Sequence, residues 1–112
     1  MSHDRLEQRS LALHSGVVAK LRQQPELLAI AFDNLERWTK LGSRSQPYLD
    51  RWRTILEEPL EVMLALIVED SADMRELRQS SPFAGVLDPK ERWYIYDTFE
   101  SGTHHPGSRD DR

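Results

Sequence analysis

The sequence predicts an all-α protein, a compact bundle of five or six short helices with a disordered C-terminal tail. Three observations carry that reading. Apolar residues recur at three- and four-residue spacing, and no β-branched stretch alternates with a period of two. Prolines and glycines fall at intervals of helical length, where helices start and stop. Leu, Ile, Val and Phe make up about a quarter of the chain, above the ~20% below which chains stay disordered. At 112 residues this is one domain, expected over residues 1–100, with 101–112 as the tail.

The first helix is expected from Asp4 to Gln23, with Leu6, Leu13, Val17 and Leu21 on its apolar face. Pro25 suits the first turn of a second helix, where its missing N–H costs nothing. That helix carries Leu28, Ala31, Leu35 and Trp38 on one side, and Gly42 is its stop. Pro47 opens a third helix, capped by Ser45 or Gln46, with the stripe Tyr48, Leu49, Trp52, Ile55 and Leu56. Pro59 ends it and starts a fourth. Leu60–Val68 is apolar except for Glu61, so this helix is expected at the centre of the bundle. Asp70 or Ser71 caps a short fifth helix with Met74 and Leu77 inward. Ser80–Leu87 reads as an apolar loop. Asp88-Pro89-Lys90-Glu91 is a capping-box arrangement opening a sixth helix that runs to Phe99. Its inner face is Ile95, Tyr96 and Phe99. Arg92 lies between them in angle, so its stem should run along apolar surface. From Glu100 onward the chain is devoid of large apolar residues, and a disordered tail is expected.

Composition removes several functional classes. With no cysteine there is no disulfide framework, thiolate zinc site or cysteine nucleophile. The longest apolar run is far short of the ~20 residues that cross a bilayer. The first residues lack the apolar core of a signal peptide, so a cytoplasmic protein without membrane contact is expected. Glu7, Ser10 and His14 share one side of the first helix and could be imagined as a Ser–His–acid set. Ser10, however, falls within the apolar face, and no glycine-rich segment nearby offers an oxyanion site. His3, Glu7 and His14 fail as metal ligands because eleven helical residues separate the histidines by roughly 16 Å. No enzyme, cofactor or metal is expected.

Charge is unevenly placed. Residues 37–56 carry Arg37, Lys40, Arg44, Arg51 and Arg53 against Asp50 alone, while 57–77 carry seven acidic residues against Arg75. The basic segment supports an alternative reading, a DNA- or RNA-binding regulator acting as a dimer. No helix-turn-helix frame fits around Gly42 or Gly85, which makes specific nucleic-acid binding the lesser reading.

Four stretches, Ser10-Leu-Ala-Leu-His14, Tyr48-Leu-Asp-Arg-Trp52, Arg78-Gln-Ser-Ser-Pro-Phe-Ala-Gly-Val-Leu87 and Glu91-Arg-Trp93, together resemble a set of small bacterial helical proteins found beside toxin-like genes and regarded as antitoxins. The similarity covers most of residues 10–99 and carries over no functional residue. It implies a protein that binds and neutralises a partner enzyme, such as a nucleotidyltransferase or nuclease encoded nearby. The partner surface is expected on the Ser80–Leu87 loop and the adjoining helix, with Arg78, Phe83, Val86, Leu87 and Tyr94 as contact residues. An apolar loop of this kind is either tucked into the core or covered by another chain.

Overall fold

A computed structural model of the protein describes the backbone from Ser2 to Thr103 and the side chains from Arg5 to Phe99. Within it the chain forms α1 (Ser2–Gln23), a 3₁₀ turn (Pro25–Leu27), α2 (Leu28–Leu41), α3 (Gln46–Leu56), α4 (Leu60–Ile67), α5 (Ala72–Arg78) and α6 (Pro89–Thr103). The described residues contain no strand. α1 lies along α6 and touches α5, while α2 pairs with α3, α3 with α4, and α4 with α5.

Local signals set most helix ends. Gly42 ends α2 in the left-handed conformation, and its N–H returns to the Trp38 carbonyl at 2.9 Å. Ser71 caps α5 by accepting from the Met74 N–H at 3.1 Å. At α6 the capping box is reciprocal. The Asp88 N–H donates to Glu91 Oε1 at 2.9 Å, and the Glu91 N–H donates to Asp88 Oδ1 at 2.8 Å. Pro25 departs from expectation, opening the separate 3₁₀ turn that feeds α2. α6 also runs past Phe99 to Thr103, because a helix already nucleated extends by one backbone bond per residue without apolar side chains. The rest of the expected tail, 104–112, lies outside the described residues.

Trp52 is fully buried; its indole N–H donates to the Leu77 carbonyl at 3.0 Å, and the Phe83 ring meets it edge-on at 5.6 Å. Around it pack Leu21, Leu35, Leu49, Met63, Leu64, Ile67 and Leu77. Two expectations need correction. α4 buries Met63, Leu64 and Ile67 but leaves Val62 46% exposed, so it sits on the flank rather than at the centre. A small domain has too much surface to cover every apolar residue. Leu6, placed on the apolar face of α1, is 57% exposed. At that end the α6 rings are covered by cations instead, Arg9 over Tyr96 at 4.1 Å and Arg5 over Phe99 at 5.4 Å. α1 and α6 approach closely at Gly16, where a Cβ would strike the Ile95 side chain.

Candidate functional site

The segment between α5 and α6 is built inward. Phe83, Val86 and Leu87 are 4%, 3% and 7% exposed, and Gly85 turns the chain at φ 96°. A loop in the interior must find partners for its backbone groups. Asn34 of α2 supplies them, donating from Nδ2 to the Pro82 carbonyl at 2.7 Å and the Ala84 carbonyl at 2.9 Å. Its Oδ1 accepts from Arg37 at 2.6 Å. Arg78, 5% exposed, donates through Nη1 to the carbonyls of Ile67 and Glu69 at 3.0 and 3.1 Å, closing the C-terminal end of α4. Burial holds its guanidinium below the ordinary arginine value, and Arg75 nearby adds to that.

Of the five residues expected at a partner surface, the fold therefore turns Arg78, Phe83, Val86 and Leu87 inward and leaves Tyr94 outside. The loop is tucked into the core. Phe83 packs against Trp52 and His14, and Val86 and Leu87 are buried with it in the core cluster.

His14 holds the other side of this loop. Its Nδ1 lies 2.8 Å from the Ser10 carbonyl and its Nε2 2.8 Å from Ser81 Oγ. A carbonyl can only accept, so Nδ1 carries the proton and Nε2 accepts from the Ser81 hydroxyl. Ser81 Oγ in turn accepts from the Phe83 N–H at 3.3 Å. The Phe83 ring meets the imidazole edge-on at 5.9 Å. Burial drives the His14 pKa down to about 4; the Ser10 carbonyl opposes the shift, and the Arg78 charge reinforces it. The ring is neutral at neutral pH. Ser10 thus meets His14 through its backbone carbonyl, and the hydroxyl beside the imidazole belongs to Ser81. The described residues contain no group of three acidic, histidine or cysteine side chains able to hold a metal ion. Asn34 was not singled out from sequence. Asn34 could have been, since it interrupts the apolar face of Ala31, Leu35 and Trp38.

The outer side of α6 is different. Trp93 and Tyr94 are 65% and 66% exposed. Beside Tyr94 a shallow cleft of about 390 Å³ runs between α6 and α1, lined by Gly16, Ala19, Lys20 and Ile95 among others. Lys20 and Glu91 close its edge with an ion pair at 2.6 Å. The helical wheel carries the signal for Trp93, which falls near Asp97 and away from Ile95 and Phe99.

The basic residues of the alternative reading do not act as one group. Arg37 is held by Asn34, Arg44 stacks on Trp38 at 4.4 Å, and Arg51 reaches Asp73 at 3.6 Å. Lys40 is exposed at the end of α2, and Arg53 is half-buried, about 200° around α3 from Arg51. The acidic residues Glu57, Glu58, Glu61, Glu69, Asp70, Asp73 and Glu76 are all exposed. No described helix is long and apolar enough to cross a membrane. The chain matches no protein-family profile, no curated protein and no solved structure.

Proposed function

We propose that the protein is a non-enzymatic protein-binding module of the cytoplasm, an antitoxin-like neutraliser of a bacterial partner enzyme. The observation that carries this reading is the adjacent pair Trp93–Tyr94, each about two-thirds exposed on a helix otherwise anchored by its capping box. Trp and Tyr are the residues most enriched at interface hot spots, and a rigid helix presents them at little entropic cost. The partner is an enzyme acting on nucleotides or nucleic acid. The exposed carboxylates of 57–76 support that choice, because they complement a basic substrate groove.

The test compares the intact chain with a Trp93→Ala/Tyr94→Ala variant, each purified from the native host. The wild type is expected to carry an enzyme in fixed ratio and to suppress its activity when added back. The double variant is expected to lose both properties while keeping its melting curve. A host preparation without a stoichiometric enzyme, or one in which the double variant retains it, overturns the reading.

A further inference from the structure

A second cleft, of about 310 Å³, opens between α1, the 79–88 loop and α6. Its charged lining residues are Arg78 and Arg92, and no carboxylate lines it, although the chain as a whole carries a charge of −4. The neighbouring acid, Glu91, turns the other way and is taken by Lys20 and the Asp88 N–H. Arg92 is half-buried, and among the described residues its guanidinium has no hydrogen-bond or ion-pair partner. Desolvating a guanidinium without a counter-charge is unfavourable, and an incoming anion relieves it.

The rest of the wall narrows the chemistry. His14 and Ser81 also line the cleft, but each spends its only proton internally, Nδ1–H on the Ser10 carbonyl and Oγ–H on Nε2. The donors left for a ligand are thus dominated by arginine, whose planar fork matches a carboxylate. Leu13 and Tyr96, both half-buried, offer apolar surface in the same cleft, and Arg9 covers one face of the Tyr96 ring. We propose that this cleft binds a small carboxylic acid with an apolar body, its carboxylate on the Arg92 guanidinium and its hydrocarbon part against Leu13 and Tyr96. The site is separate from the Trp93–Tyr94 surface, since neither of those residues lines the cleft.

Titration of the full chain with phenylacetate, followed by amide NMR, tests it. Saturable shifts are expected at residues 13–17, 78–87 and 92–96, with little response to phenylacetamide, which keeps the ring and lacks the charge. Arg92→Gln should weaken phenylacetate by about tenfold or more, the loss expected for a charge-assisted bidentate contact. Arg92→Lys should recover part of it, and unchanged melting curves show that both variants fold. Equal binding of the amide removes the charge recognition and overturns the proposal. Inorganic phosphate binding as tightly as phenylacetate overturns the apolar half of the assignment. A wild type without saturable shifts, or an Arg92→Gln variant with undiminished affinity, overturns it outright.

Discussion

The 79–88 loop and the outer side of α6 make an instructive pair. The loop is irregular, joins two helices and would ordinarily be solvated, yet Phe83, Val86 and Leu87 are buried. The helix has a regular backbone and an amphipathic frame, yet it holds two large aromatic rings in water. What separates them is the fate of the backbone polar groups. In α6 the backbone satisfies itself, so side chains may face either way. In the loop Asn34 satisfies two carbonyls from outside the segment and Ser81 satisfies the Phe83 N–H from within it, and only then can its apolar side chains enter the core. Apolar content alone does not say which region meets a partner.

The comparison can be broken or sharpened by four measurements. The largest effect is expected from Phe83→Ala, which removes the ring between Trp52 and His14 and should cost about 3–5 kcal/mol in urea melts. A cost near that of a surface change would place the loop outside the core. Acid comes next. His14 has a pKa of about 4 folded against its ordinary 6.5, so between those values the unfolded chain binds more protons. Its contribution, up to about 3 kcal/mol, is complete above pH 6.5 and is lost as pH falls towards 4. Stability measured across that range should show the slope in the wild type and a flatter profile in His14→Gln. Asn34→Ala strands the Pro82 and Ala84 carbonyls and should cost about 1–3 kcal/mol, with faster amide exchange over 79–88. The smallest change in folding is expected from Tyr94→Ala, within about 0.5 kcal/mol, although a hot-spot role would weaken partner binding by more than ~1 kcal/mol.

Much of the architecture was legible because its signals are local. Gly42, Ser71 and the Asp88–Glu91 box set helix ends through contacts within a few residues, and each falls where its type and spacing place it. The inner faces of α2 and α3 followed from periodicity. Periodicity failed on α4, where a run apolar but for Glu61 gives little direction to a helix and Val62 ended in solvent. The loop failed differently. Its two allowed fates, tucked in or covered, are decided by His14 and Asn34, which lie 67 and 48 residues before their partners in it. No local pattern reports contacts at that separation. Trp93 is legible in angle, because the helical wheel turns it away from Ile95 and Phe99 towards Asp97.

The pairing of α1 with α6 sets the order in which this molecule can be finished. During synthesis α1 emerges before the other described helices, but the flank at Gly16 that receives Ile95 has no cover until α6 has been made. The same holds for His14, whose Ser81 partner arrives late in the chain. Until then Leu13, Val17 and the buried imidazole stand without their final neighbours, a window in which a nascent chain is open to chaperones and to wrong association. Closure between distant segments also raises the contact order above that of a bundle whose helices pair only with their immediate successors, so this helical protein should collapse early and lock late.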